Sequence, residues 1–195
     1  MGCHSEPNRE PGYRYHHGRR VETIALEIAQ FENLLKCVNV KALRAASLLH
    51  DLGKCLPNAN GQDHALKGAN ETRRRLQNQI DQETLNIITE AIAQHNKRRS
   101  DLYPSRHEET LIQDADLIDH FGLMEVWLHF YQIAKQNGTI KDAVALPYQE
   151  HLQSWHGYAQ GSLNYPTSQS MLHARMARSR DFFTLFAQEQ RGRIE

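Results

Sequence analysis

The sequence is poor in cysteine, lacks long apolar runs and carries no excess charge of either sign. Three cysteines in 195 residues, Cys3, Cys37 and Cys55, form no CxxC spacing, so neither a disulfide framework nor a zinc ribbon is indicated and we expect reduced thiols. The 23 basic residues balance the 23 acidic ones, which argues against attraction to a nucleic-acid polymer or an anionic membrane. No apolar stretch approaches the roughly 18 residues that span a bilayer, and the N-terminus has no apolar signal segment. We therefore expect a cytoplasmic protein without a membrane partner.

Helical periodicity is the main local pattern. Apolar residues from Val21 onward recur at intervals of three and four, which predicts a core-facing helix. Further helices are predicted over 39–49, from His64, from 81 to His95, around 111–122 and over 123–134. Asn39, Asp63 and Asp81 are suitable N-caps for three of them. The fold class predicted is all-α.

The C-terminal region is less regular. Proline and glycine interrupt residues 139–166, which predicts a structured loop or a short helix at 148–158. Thr167 is the predicted cap of a long last helix. We expect a single domain over 1–195, with a core at about 15–137. The extension at 138–195 would cover an active-site mouth or form the surface of a homodimer, and the sequence does not separate these alternatives.

Histidine and aspartate residues occur at the ends or on one face of the predicted helices. His50 and Asp51 are adjacent at a helix end, and His17 precedes the first predicted helix. Imidazole nitrogen and carboxylate oxygen are the ligand types that hold first-row transition metals. The candidate ligands are His17, His50, Asp51, His64, His95 and Asp116.

Three separated motifs carry a family resemblance. HGRRV at 17–21, LLHDLGK at 48–54 and ADLID at 115–119 resemble the H…HD…D pattern of the HD-domain metal-dependent phosphohydrolase superfamily. The resemblance implies a compact helical bundle with a metal site between helices, held by His17, His50, Asp51 and Asp116. Two further motifs, HALKGA at 64–69 and IAQH at 92–95, resemble the subset that binds two metals through His64 and His95.

The resemblance also implies a chemistry. The cofactor would be one or two divalent transition-metal ions, Fe, Mn, Co, Ni or Zn, because a site used by magnesium alone would be built from oxygen ligands. Asp51 would bridge the ions, and a metal-activated hydroxide would attack phosphorus. The expected enzyme is a metal-dependent phosphohydrolase that cleaves a phosphate ester or anhydride of a small substrate, with a nucleotide favoured.

Basic residues near the motifs are candidates for binding substrate phosphate. Lys54 follows Asp51 by one turn and is the candidate for a catalytic cation beside it, whereas Arg20 either binds phosphate or anchors its helix. Lys97 and Arg98 follow His95, so these basic side chains would lie over the metal site, where a substrate phosphate would bind. An ordinary solvated surface is the alternative for each of these charges.

Other interpretations remain open at this level. His16 competes with His17, and Asp114 and Asp119 compete with Asp116, although the motif spacing selects His17 and Asp116. Some proteins with the same six ligands resemble di-iron oxygenases, whose last aspartate lies much farther beyond the last histidine. A metal-free nucleotide-binding module is the third alternative, but it would require lost ligands, and none of the six is lost.

Overall fold

The computed structural model describes residues 11–57, 61, 63–97, 106–144 and 146–192. Within these residues every regular element is helical, so the all-α prediction is confirmed. The elements are α1 (Tyr13–Phe31), α2 (Val40–Leu49), a 3₁₀ turn (Leu52–Cys55), α3 (His64–Leu76), α4 (Gln82–Gln94), α5 (His107–Asp119), α6 (Leu123–Lys135), α7 (Ile140–Ala143), α8 (Leu146–Ser162) and α9 (Pro166–Gln190).

Side-chain caps start three of the helices at the predicted residues. Asn39 accepts a hydrogen bond from the backbone N–H of Ala42, and Asp63 and Asp81 likewise cap α3 and α4. Each cap satisfies an N–H group that the helix leaves unpaired, which stabilises the helix by about 1 kcal/mol. These starts matter for the site, since Asp63 fixes His64 as the first residue of α3.

Three boundaries differ from the sequence-based predictions. Helix α1 begins at Tyr13, so His17 lies inside the helix instead of preceding it. Helix α8 is longer than the predicted segment at 148–158. The N-cap of α9 is Tyr165, because Pro166 occupies the first helical position, where its missing N–H costs nothing. The backbone N–H of Thr167 instead donates to the side chain of Glu32, the C-cap residue of α1, at 2.8 Å.

The apolar core lies between α1, α2, α4 and α5. Ile28, Leu43, Ile92 and Ile112, one from each of these helices, are fully buried. The last two helices and the link between them add residues to the same core, namely Ala159, Leu163, Leu172 and Met176. Buried Asp114 of α5 accepts hydrogen bonds from the backbone N–H groups of Asn164 and Tyr165, which joins the start of α9 to the core. That 1–195 forms one domain stays a prediction.

Two close helix approaches depend on glycine. A Cβ on Gly18 would lie 3.1 Å from the carbonyl oxygen of Leu48, so the missing side chain lets α1 approach the end of α2. A Cβ on Gly53 would lie only 1.8 Å from the carbonyl oxygen of His64, which no side chain could tolerate. Glycine at 53 therefore allows the 3₁₀ turn after Asp51 to pack directly on the first turn of α3.

The cysteines differ from one another. Cys37 is free and exposed, but Cys55 is disulfide-bonded, so the expectation of reduced thiols is wrong at Cys55. The odd number of cysteines and the absence of a CxxC spacing gave no signal for this bond.

None of the described helices is long and apolar enough to cross a membrane.

Candidate metal centre

Five helices and the turn after α2 bring the six predicted ligands into one cavity. They come from α1, the end of α2, the start of α3, the end of α4 and the middle of α5. Five of the residues are buried: His17, His50, Asp51, His95 and Asp116. The side chain of His64 is 29% exposed, so the cavity opens toward solvent on the His64 side.

One group of ligand atoms consists of His17, His50 and Asp116. The Nε2 atoms of His17 and His50 lie 3.2 Å apart. Oδ1 of Asp116 lies 3.2 Å from Nε2 of His17 and 3.6 Å from Nε2 of His50. All three donor atoms therefore point at a common centre that is small enough for a single ion.

A second group of ligand atoms surrounds Asp51. Its Oδ1 lies 3.6 Å from Nε2 of His95 and 3.7 Å from Nε2 of His64, and the two Nε2 atoms are 3.2 Å apart. The same carboxylate reaches the first group, because its Oδ2 lies 3.9 Å from Nε2 of His17. Asp51 thus stands between the two groups, as a bridging ligand would.

Hydrogen bonds on the far side of the rings fix their tautomers. Nδ1 of His50 lies 2.8 Å from the carbonyl oxygen of Ser47, and Nδ1 of His95 lies 2.7 Å from that of Ile92. A carbonyl oxygen can only accept, so Nδ1 must carry the proton in both rings. In the neutral ring Nε2 then presents a lone pair to the cavity, the arrangement expected of an imidazole that binds a metal through Nε2.

These distances fit bound cations. Nε2 of His50 lies 3.2 Å from Nε2 of His17, and Nε2 of His95 lies 3.2 Å from Nε2 of His64. Ligand atoms about 2.1 Å from one ion, at angles between octahedral and tetrahedral, would lie about 3.0–3.4 Å apart. The 3.2 Å separations lie within this range, and the separations of 3.6 and 3.7 Å that involve Asp116 and Asp51 exceed it by a few tenths of an ångström. The donor set combines imidazole and carboxylate, which suits a first-row transition metal better than magnesium. The residues present therefore fit one or two divalent ions.

The electrostatics of the site favour positive charge. Burial opposes protonation of His17, yet the hydrogen bonds that it donates to Asp116 and Asp119 raise its pKa to about 9. Burial would raise the pKa of Asp51, but His95, His50 and Lys54 hold that pKa well below its ordinary value. Burial, together with Lys54 and His95, lowers the pKa of the outer histidine, His64, to about 4. The outer part of the cavity therefore offers a neutral imidazole.

Two cationic side chains contact the Asp51 carboxylate. Nζ of Lys54 lies 2.8 Å from Oδ1 and 3.1 Å from Oδ2, and the guanidinium of Arg14 contacts Oδ2. Lys54 was predicted to be near Asp51, whereas Arg14 was not. Arg14 lies one helical turn before His17, so α1 directs both residues toward the cavity.

Arg20 and Lys97, two further predicted substrate residues, differ from Lys54 in their surroundings. Arg20 does not point at Asp51, because its Nε donates to both oxygens of Asp119 at 2.9 and 3.0 Å. Arg20 thus anchors α1 to α5, the second of the two roles considered for it. Lys97 is exposed beyond the end of α4. Arg98 lies outside the described residues.

Sequence reasoning overlooked two further residues beside the ligands. Asp119, considered only as a rival of Asp116, instead holds Nδ1 of His17 at 2.8 Å. His120 matched no motif, yet its ring contacts the ring of His17 in an edge-to-face arrangement. Its Nδ1 lies 2.7 Å from the carbonyl oxygen of Asp116. The one sequence signal for Asp119 was its position one helical turn after Asp116. No sequence signal indicated His120.

The fold is all-α, and its helices bring together histidine and aspartate side chains that could hold a metal ion. The chain belongs to the HD-domain family, whose sequence profile matches residues 14–120, more than half of the chain. The matched region runs from Arg14 to His120 and so contains all six predicted ligands. No curated protein matches the sequence.

Solved structures share the fold. A predicted HD superfamily hydrolase from an uncultured Thermotogales bacterium is 22% identical, with 90% of this chain and 80% of that chain covered and a TM-score of 0.60. An HD-superfamily hydrolase from Bacillus thuringiensis is 19% identical over 94% and 89% of the two chains, with a TM-score of 0.64. YpgQ of Bacillus subtilis, solved in complex with ADP, is 18% identical over 89% and 87%, with a TM-score of 0.61. This chain therefore has the fold of HD-superfamily hydrolases.

Proposed function

We propose that this protein is a metal-dependent phosphohydrolase that cleaves a phosphate ester or anhydride. The observation that carries the proposal is the cluster of four imidazole Nε2 atoms and two carboxylates around one cavity, with Asp51 between its two halves. Two cations, Lys54 and Arg14, lie at the same carboxylate. A metal site with two cationic side chains at one of its carboxylates suits an anionic phosphate substrate.

The six ligands would divide between two ions. His17, His50 and Asp116 would hold one, His64 and His95 would hold the other, and Asp51 would be a ligand shared by both. Bound ions of this kind polarise a phosphoryl oxygen and lower the pKa of water, which supplies a nucleophile at neutral pH.

The protein's own side chains would bind and orient the phosphate. The ammonium of Lys54 and the guanidinium of Arg14 are near enough to Asp51 to neutralise phosphoryl oxygens beside it. Lys54 would thereby act as a catalytic residue, and Lys97, with Arg98, would add positive charge at the end of α4. Buried His50 and His95 keep their orientation because backbone carbonyls hold their Nδ1 atoms.

We further propose that the substrate is a nucleotide. This finer assignment draws on the expected chemistry of the family and on the ADP bound to the Bacillus subtilis neighbour YpgQ. The exposed edge of His64 marks the side from which a substrate larger than phosphate would enter.

A substrate screen tests the proposal. Purified protein, with its metal content measured, is incubated with nucleoside mono-, di- and triphosphates and with simple phosphate esters, with manganese, cobalt, iron or magnesium added. We expect phosphate release that depends on a transition metal and is abolished in Asp51→Ala while the helical circular-dichroism signal persists. Turnover that required dioxygen and released no phosphate would instead identify an oxygenase.

A further inference from the structure

A surface groove separate from the metal centre lies between α1 and α9. Its volume is about 440 Å³, within the range of small-molecule sites. Three arginines line it, Arg19 and Arg20 from α1 and Arg175 from α9, together with His16. Glu27 is the one carboxylate in the lining, among the residues that the structure describes. We call this feature the α1–α9 groove.

The arginines of the groove retain unused hydrogen-bond donors. A guanidinium carries five N–H donors. Arg20 uses its Nε on Asp119, while its buried Nη2 has no hydrogen-bond partner among the described residues. Among the described residues, the contacts of Arg175 Nη1 are long: 3.3 Å to the carbonyl oxygen of Ile118, 3.5 Å to that of Phe121 and 3.7 Å to Oδ1 of Asp119.

Positive charge is crowded in the groove. Burial lowers the pKa of Arg175. Asp119 and Glu27 oppose this effect, whereas the nearby guanidinium groups of Arg178 and Arg20 add to it. Asp119 contacts the inner side of this cluster and is itself fully buried. An anion on the outer side would therefore interact favourably with several guanidinium groups at once.

We infer that the α1–α9 groove binds a phosphate-bearing anion at a second site. Guanidinium groups match the oxygens of a phosphate group in bidentate geometry, and three of them converge here from two helices. The site is distinct from the proposed catalytic one, because Arg20 and Arg175 reach Asp119 from the groove, whereas His17 contacts Asp119 from the metal centre. The inference does not depend on the proposed activity.

Calorimetric titration with methylenediphosphonate, a non-hydrolysable analogue of pyrophosphate, tests this inference on the purified full chain. We expect two binding sites, one of which is lost in Asp51→Ala. Thr23→Glu should remove the other or weaken it roughly tenfold or more, because it adds a carboxylate to the groove without deleting a cation. Arg19→Gln should act in the same direction.

Matched controls separate the groove from general surface charge. Thr184 is exposed on α9, and its hydroxyl donates to the carbonyl four residues earlier, as that of Thr23 does, so Thr184→Glu makes the same change elsewhere. Arg74 pairs with Glu71 as Arg19 pairs with Glu22, so Arg74→Gln controls for Arg19→Gln. Both controls should bind methylenediphosphonate like the wild type.

If Thr23→Glu and Arg19→Gln also retain every wild-type site at wild-type affinity, the inference is wrong. A chain that held no metal would show one site, still lost in Thr23→Glu.

Discussion

Nδ1 of His17 lies 2.8 Å from Oδ2 of Asp119, and this bond turns the opposite edge of the imidazole toward the metal cavity. Asp119 is fully buried and also accepts from Arg20, so its own position is fixed from the other side. A carboxylate behind a metal-binding histidine orients the ring and increases its basicity. Asp119 is therefore a positioning residue for the proposed centre.

Asp119→Asn should weaken metal binding about 10- to 100-fold, because the amide keeps the shape of the carboxylate but loses its charge. A competition titration against a chelator of known affinity measures the change. Asp114→Asn is the matched control, since Asp114 is also buried on α5 but accepts from Asn164 and Tyr165. That variant should lose stability and keep its metal affinity. Equal affinities in the two variants would refute the positioning role of Asp119.

Gly53→Ala should destabilise the protein and disturb the second half of the site. The new Cβ would meet the carbonyl oxygen of His64 at 1.8 Å and the backbone nitrogen of Gly68 at 2.8 Å, so α3 must move away. Overpacking of this kind costs about 1–3 kcal/mol or more. We expect a lower Tm and weaker binding of one metal ion, by calorimetry and elemental analysis.

Gly161→Ala provides the comparison for that variant. Gly161 lies within α8, and a Cβ there would meet nothing within 4 Å. Alanine should therefore leave metal content unchanged and stabilise the helix by about 0.5–1 kcal/mol. If Gly53→Ala also kept its metal content and showed no loss of Tm, the 3₁₀ turn would not pack closely on α3.

Lys54→Ala should impair substrate binding and leave the metals in place. Loss of one charge-assisted hydrogen bond to phosphate corresponds to about 1.5–3 kcal/mol, so we expect kcat/KM to fall about 10- to 100-fold. The control is Lys67→Ala, because the hydrogen bonds of Lys67 Nζ within the described part of the chain go to the carbonyl oxygens of Leu56 and Pro57. Steady-state kinetics and metal analysis on both variants decide the matter. Equal kcat/KM values for the two variants would show that Lys54 does not bind the substrate phosphate.

Local sequence signals predicted much of the fold. Capping is a property of adjacent residues, so Asn39, Asp63 and Asp81 marked the starts of α2, α3 and α4 correctly. The start of α1 was missed because Tyr13 follows glycine and has no side-chain cap. Helix α8 was underestimated because its glycines, including Gly157 and Gly161, are tolerated inside the helix.

The candidate site was predictable where its residues sit in motifs and not where they depend on packing. The six candidate ligands were named from spacing, and the structure brings their side chains together, although their role as ligands stays a prediction. Arg14 and His120 belong to no motif: Arg14 meets Asp51 where α1 packs on the end of α2, and His120 meets His17 where α5 packs on α1. The sequence left two roles open for Arg20, phosphate binding or anchoring its helix, and a buried carboxylate across 99 residues of sequence holds it. Such long-range pairings cannot be read from a local pattern.

The central claim is a two-metal centre bridged by Asp51, and metal stoichiometry tests it most directly. Elemental analysis of the purified protein should give about two ions per chain, and His64→Ala or His95→Ala should each reduce this toward one. Tm measured on the same samples shows whether each variant is folded. If His64 and His95 are only structural, the metal content will stay unchanged in both variants while Tm falls. That result would contradict the two-metal account and leave a single ion held by His17, His50, Asp51 and Asp116.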